Sequence, residues 1–270
     1  MIGQFLDGSP GRIAAMVRRH WYLLSGSWTR VLELIYWPAV QMIMWGFLTQ
    51  FLAGQTSYIA QAFGILLAGV MLWDTLFRIQ LGVAISFLEE MWSRNLGNLF
   101  VSPLRPSEFA ASVLLMGMIR CLLGVIPVSL LAWWFFDFSV YSMGLALAAF
   151  FVSLMLFGWA MGLAVCGLIM RHGLGAESVA WGSMFLILPV AAVYYPVAIL
   201  PDWLQAIAWS LPPAYVFEGM RALLIDGVVR ADLMLGGFAL NALYLALGFL
   251  AFMAWFEASR RRGLLLGQGE

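Results

Sequence analysis

The sequence predicts an all-α membrane protein with six transmembrane helices, and three observations carry that expectation. Hydrophobic residues make up 63% of the chain and charged residues only 10%, well under the quarter or so of a soluble domain. Six apolar stretches approach or exceed the roughly 20 residues needed to cross a hydrocarbon core. The arginines between them fall almost entirely on one side once the stretches are threaded through a bilayer.

The elements follow in order. Ser9-Pro10-Gly11 reads as a helix start, with Ser9 as N-cap and Pro10 at the first helical position. Residues 9–29 then form an amphipathic interface helix. Ile13, Met16, Val17 and Leu24 favour one side, and Arg12, Arg18 and Arg19 supply the charge that suits a membrane surface. The first span is 31–53, with Glu33 at its entrance and a kink at Pro38. An uncharged link, 54–58, leads to the second span, 59–87, in which Asp74 and Arg78 share one helical face.

The longest polar interruption of the first half comes next, over 86–109, with the loop proper at 88–105. Glu89 and Glu90 open it, Arg94 and Arg105 follow, and Pro103 and Pro106 close it, since neither proline continues a helix. Met91, Trp92, Leu96, Leu99 and Phe100 recur at roughly helical spacing, which predicts a short amphipathic helix outside the bilayer and a docking surface. The third span is 109–136, containing Arg120 and Pro127, and the fourth is 143–170. A polar loop, 171–175, precedes the fifth span, 179–195. Residues 196–232 hold Pro196, Pro201, Pro212 and Pro213, which leave apolar pieces too short to cross. They read as a re-entrant helical hairpin, tolerable in a bilayer only where protein covers its free backbone groups. The sixth span is 233–255, followed by Arg260, Arg261 and Arg262. The whole chain, 1–270, is expected to be one membrane domain.

With the N-terminus in the cytoplasm, Arg12, Arg18, Arg19, Arg30, Arg94, Arg105, Arg171, Arg260, Arg261 and Arg262 all fall inside, and only Arg221 and Arg230 fall outside. Both termini are therefore expected to be cytoplasmic, with the hairpin on the opposite side.

Several function classes are set aside. All 14 basic residues are arginine, and a phosphate-gripping loop of the G-x-x-x-x-G-K-[ST] kind needs its lysine. Cys121 and Cys166 sit in apolar runs and read as buried thiols. His20 and His172 are too few and too far apart to suggest a metal site. The first ten residues show no basic start, apolar core or cleavage site, so no secretory leader is expected. No catalytic cluster stands out.

The charges inside spans need partners, because each costs about 2.5–3.5 kcal/mol at a helix centre on an insertion scale. Asp74 and Arg78 supply one another, or else line a substrate path; Arg120 is a candidate third member, and Tyr36 and Trp37 are candidate lining residues. Glu218 and Arg221 are spaced to pair on the hairpin.

Two places carry a family resemblance. Glu89-Glu90 followed by Leu96, Leu99, Phe100, Val101, Ser102 and Pro103 is similar to the cytoplasmic loop of type-2 ABC exporter permeases. Leu200-Pro201, Trp203-Leu204-Gln205, Ile207-Ala208, Pro212, Tyr215, Glu218 and Arg221 resemble the signature of the same family before its last span. Arg94-Asn95 stand where the family commonly has Gly-Thr, and Leu211 where an Asn often precedes the proline. The resemblance implies a half-transporter in the cytoplasmic (inner) membrane, working with a second copy or a related permease and two separate ABC ATPase chains. Those partners would bind ATP and Mg; this chain would bind no cofactor and no nucleic acid. It implies a coupling helix made by Glu89, Glu90, Met91, Trp92, Arg94, Leu96 and Leu99, and an outer hairpin marked by Pro201, Trp203, Pro212, Tyr215, Glu218 and Arg221. The implied cargo is amphipathic, drug-like, lipid or polysaccharide. The alternative is a proton-coupled secondary transporter using Asp74 and Arg78.

Overall fold

The computed structural model describes residues 9–53 and 57–261. The residues before Ser9, most of the expected 54–58 link and Arg262 lie outside the described residues. Within them, every regular element is helical: α1 (Ser9–Ser25), α2 (Trp28–Ala53), α3 (Ser57–Trp92), α4 (Leu96–Val101), α5 (Pro106–Phe136), α6 (Leu145–His172), α7 (Ser178–Ile187), α8 (Asp202–Ser210), α9 (Pro212–Asp226) and α10 (Ala231–Arg261). Five helices are long and apolar enough to cross a membrane, over Trp28–Phe51, Gly64–Trp92, Pro106–Phe136, Leu145–His172 and Ala231–Arg261. They correspond to the expected first, second, third, fourth and sixth spans.

α3 is the hub. It packs against α2, α5 and α6 and touches α7 and α9, while α10 lies outside on α6 and α9. Small residues set the crossings. A methyl group added at Gly117 of α5 would sit 2.7 Å from Val83 Cγ2 and 3.0 Å from the Val83 nitrogen on α3. One added at Gly158 or Gly162 of α6 would sit 2.8 Å from Ile79 Cγ2 or Val83 Cβ. Lipid tails are as apolar as leucine, so helices gain little by hiding leucine from lipid; close contact across small residues is what holds them together. The two buried clusters that result meet along α3, one around Phe87, Phe109 and Cys166, the other around Leu76, Phe157 and Phe217. Cys121 and Cys166 are both buried and unpaired.

The two ends of the bundle are set by cross-links between neighbours. Ser259 Oγ of α10 donates to the Met170 carbonyl of α6 at 3.3 Å, and Asn241 Nδ2 donates to Ser153 Oγ at 2.8 Å. α10 therefore runs parallel to α6, and the chain between them must return along the bundle. It does so against α3. Glu177 accepts a bond from Trp92 Nε1 at 3.3 Å, Phe185 stacks edge-on against Phe77 with centroids 6.0 Å apart, and the Val193 carbonyl abuts Gly69.

That return is not one helix. The expected fifth span, 179–195, is α7 only as far as Ile187, after which turns run through Pro189 to Tyr195. Ten residues rise about 15 Å, half a hydrocarbon core. Pro189 has no N–H to continue the ladder, and Ala192 sits at φ 56. The expected hairpin pieces are α8 and α9, joined at the buried Pro212, which occupies the first turn of α9 where its missing N–H costs nothing.

The backbone group that Pro38 leaves open in α2 has a partner. Pro38 cannot donate to the Leu34 carbonyl one turn earlier, which would be left orphaned in an apolar bundle. Arg78 Nη1 donates to that oxygen at 2.8 Å while its Nε donates to Asp74 Oδ2 at 2.6 Å. Gly124 of α5 leaves room for both: a methyl group there would sit 2.8 Å from the Leu34 oxygen and 2.9 Å from Arg78 Nη1. The i, i+4 pairing of Asp74 with Arg78 is thus present, and it does a second thing that the spacing alone does not show.

Two outcomes follow. Gly117→Leu should lower thermal stability in detergent by about 1–3 kcal/mol, the usual range for overpacking, while Gly182→Leu, with nothing within 4 Å, leaves it unchanged; equal effects would remove the close α3–α5 crossing. The double change Asp74→Leu with Arg78→Leu should destabilise by the cost of an unsatisfied carbonyl, about 1–3 kcal/mol, and adding Pro38→Ala should recover part of it by restoring the N–H. A triple mutant no more stable than the double one would show that the Leu34 carbonyl is not what Arg78 serves.

Candidate functional site

At the α1 end of the bundle the apolar packing gives way to a cluster of charge built on buried carboxylates. Glu89 and Glu90 are the fourth- and third-last residues of α3, which closes at Trp92, and being adjacent they face about 100° apart. Glu89 turns toward α5 and α2: Arg120 Nη2 donates to it at 2.7 Å and Arg30 Nη1 at 3.3 Å. Glu90 turns toward α1: the Arg19 fork donates through Nε at 2.9 Å and Nη2 at 3.1 Å, and Asn95 Nδ2 donates at 2.7 Å. The bond to Glu90 raises the Arg19 pKa above its ordinary value. His20 is fully buried between the two carboxylates, 3.7 Å from Glu89 and 3.9 Å from Glu90. Beside them Arg12 of α1 forks onto Glu108 of α5 at 2.8 and 2.6 Å, and Glu108 also accepts the Arg105 N–H at 3.0 Å, closing a capping box.

This arrangement corrects the expected docking role of four residues. Glu89 and Glu90 belong to the end of α3, are buried and are bonded within the chain. Met91 and Leu96 are also buried, packed with Met16, Phe87 and Phe109. The chain therefore supplies an apolar surface for them by itself, from α1 and the start of α5. Leu99 is packed against the same cluster and only partly buried. What remains outward is Trp92, 48% exposed, Arg94 and Val101, 87% exposed. No separate helix spans the whole interruption. α3 ends with Arg94 in the left-handed region, φ 51, its N–H bonded to the Met91 carbonyl and that of Asn95 to the Glu90 carbonyl, a Schellman-type close; α4 is then only a six-residue helix. The basic face of α1 is likewise corrected: Arg12 and Arg19 bond to carboxylates of the chain, and Arg18 faces out.

Above the cluster a groove of about 690 Å³ runs along α3 between α2 and α7. Its wall reaches from Trp73 to Trp92, about 28 Å at the helical rise. Trp37, Asp74, Arg78 and Arg120 line it; Tyr36 does not, and instead lies exposed with its ring edge-on to Trp37 at 5.4 Å. Arg120 lines the groove but bonds to Glu89, whereas Asp74 takes its bond from Arg78.

At the far end Glu218 and Arg221 pair as their spacing suggests, at 3.1 Å. Arg221 Nη2 also donates to the Ala192 carbonyl at 2.7 Å, and the Val197 N–H donates to Glu218 at 2.6 Å. The pair therefore staples the turns after α7 onto α9. Tyr215 stacks edge-on with Trp209 at 5.1 Å and faces Gly236 and Gly237 of α10. Pro201 precedes α8, and Trp203 is exposed on it.

Sequence reasoning missed Arg19, His20, Arg30 and Glu108 as partners of the cluster. The signal was present: Arg12, Met16, Arg19 and His20 recur at i, i+4, i+7 and i+8, one face of α1. Trp181 and Phe185, four apart on α7, were missed as groove residues. A search of curated proteins finds no match. The family model described as ABC-2 type transporter matches residues 12–225, from the first arginine of α1 almost to the end of α9; the chain belongs to that family, and is a multi-pass membrane domain of an ABC transporter.

Proposed function

We propose that the chain is the membrane-spanning half of an ATP-driven exporter, paired with a second copy or a related permease and driven by two ATPase chains that hold ATP and Mg. The observation that carries this reading is the fastening of the polar turn. Buried charge ties the end of α3 to α1, α2 and α5, while Trp92, Arg94 and Val101 are left outward on the same turn and on α4. A partner that pushes on this surface pushes on the frame. Leu99, at its edge, completes the contact. The groove beside α3 is the path offered to an amphipathic cargo.

The reading includes six crossings, both termini in the cytoplasm and the cytoplasmic membrane as location. The return of residues 177–193 past α3 from Trp92 to Gly69 supports the sixth crossing, because that stretch of α3 is about 34 Å long. The crossing is made by α7 and its turns together, with Glu218 and Arg221 satisfying backbone groups that the turns free. Arg12, Arg18, Arg19, Arg30, Arg94 and Arg171 then share the cytoplasmic side.

The double change Trp92→Ala with Arg94→Ala should leave abundance and thermal stability unchanged, yet remove co-purification of the ATPase. Retained ATPase binding would sink the coupling role of this turn. Glu90→Gln should act differently, lowering stability itself, since breaking one side of a buried ion pair costs about 3–5 kcal/mol. For the topology, cysteines introduced at Ser139 or Asp202 should react with an impermeant thiol reagent in intact cells, and one at Gly175 only after the membrane is opened. Equal access at 175 and 202 would reject the crossing between them.

A further inference from the structure

On the other flank of α3 the bundle leaves a second opening. α5 and α6 both pack on α3 but hardly touch one another. Between them lies a cleft of about 320 Å³ that shares no lining residue with the groove beside α2 and α7. Its floor is the buried Met71, Leu72 and Thr75 of α3. Its mouth is on the outer surface of the bundle, where Ile126 of α5 and Ala148 and Val152 of α6 are exposed. Both helices are long and apolar enough to span, so the medium outside that mouth is the hydrocarbon of a bilayer.

The walls say what can enter. Among the described residues no charged side chain lines the cleft. Its three hydroxyl groups are already spent: Thr75 Oγ1 donates to the Met71 carbonyl at 2.9 Å, Ser129 Oγ bonds the Ile126 carbonyl at 2.7 Å, and the Tyr141 and Ser129 hydroxyls bond each other at 2.7 Å. A sugar, an ion or a water would find nothing to bond, and apolar cavities of this kind stay dry. Left empty, the walls would forfeit dispersion contacts that hydrocarbon supplies. The dimensions narrow the choice. From Gly144 to Val152 the α6 wall is about 12 Å tall, so the mean cross-section is about 25–30 Å². A helix with its side chains is about 10–12 Å across, several times too wide. One extended hydrocarbon chain fits, with room for roughly ten methylene groups at about the 30 Å³ of a water each. The height also suits one leaflet, since half a hydrocarbon core is about 15 Å. Exposed Trp133 and Trp134 near the end of α5, with Tyr141 beside the cleft, mark the headgroup level above it.

We infer that the cleft between α5 and α6 is a binding site for one acyl chain of a phospholipid, taken sideways from the leaflet on the Tyr141 side of the membrane and laid against Met71, Leu72 and Thr75. The chain acts as a filler where α5 and α6 fail to meet, and so completes the packing around α3. A second copy of the protein is the poorer occupant, because its helix is too wide and a single side chain from it is too short for the height of the cleft. The inference is independent of the exporter reading and of which side of the membrane Tyr141 faces.

The test is photolabelling of the purified full chain in nanodiscs, with a phosphatidylcholine that carries a diazirine midway along one acyl chain. Labelling of the α5 wall, residues 122–129, is read by mass spectrometry as the probe replaces ordinary phosphatidylcholine. It should saturate at one label per chain and exceed the labelling of the exposed face of α10. Ala148→Phe and Val152→Phe each put a ring in the mouth. Either should cut labelling of the α5 wall by about tenfold or more, because the acyl chain loses several methylene contacts at once. Ala242→Phe, on the exposed face of α10, should leave it unchanged. Both mouth positions are exposed, so the variants should fold; melting temperatures no lower than the parent's check this. Labelling that rises without saturation and spreads evenly over the exposed faces of α5, α6 and α10 would mean bulk lipid only, and overturns the inference. So does α5 labelling that survives in both mouth variants. A disulfide between two copies carrying Ile126→Cys, with no lipid label on α5 in the parent, would give the cleft to a second copy and overturns it as well.

Discussion

Charge inside an apolar bundle has to be met where it stands, and the rest of this structure depends on how that is done. An unpaired charge at a helix centre costs about 2.5–3.5 kcal/mol on the gentlest scale. Here the charges are used to attach helices to one another. Glu89 and Glu90 collect Arg120 from α5, Arg30 from α2 and Arg19 from α1 onto the last turns of α3. Arg78 collects the broken backbone of α2 at Pro38. Glu218 and Arg221 collect the turns that follow α7. Glycine-lined crossings set how near the helices come; the ionic and carbonyl bonds set which residue meets which. An apolar surface alone gives little such register, because one leucine ridge resembles the next.

The division between what was legible in the sequence and what was not follows the same physics. Span positions are a matter of length and composition, so the five long helices could be read within a few residues. Pairs within one helix were legible too: Asp74 with Arg78, and Glu218 with Arg221, lie at fixed offsets. The fifth span was over-read because an apolar run has the same composition whether or not Pro189 interrupts its hydrogen bonds. The charged turn was misread for a different reason. A carboxylate pair beside apolar residues looks the same whether its partners belong to another chain or to a helix 70 residues earlier. Arg19 lies 71 positions from Glu90, and Arg12 lies 96 from Glu108. Only the fold brings them together, although the four-residue recurrence along α1 marks which of its faces turns inward.

The same contacts distinguish the ways in which the helices are held. α3 and α5 meet backbone to backbone at Gly82 and Gly117, and α6 seats the branched side chains of Ile79 and Val83 of α3 against Gly158 and Gly162. α7 is short, ends in turns, and is seated by the buried Ala180 and Met184 and by the ring edge of Phe185 against Phe77, with Glu177 just ahead of it bonded to Trp92. α2 is interrupted at Pro38 and held there by a side chain instead of its own ladder. The groove lies between these two helices, with α3 as its floor. Trp92 belongs to that floor, to the bond with Glu177 just ahead of α7, and to the outward surface of the turn.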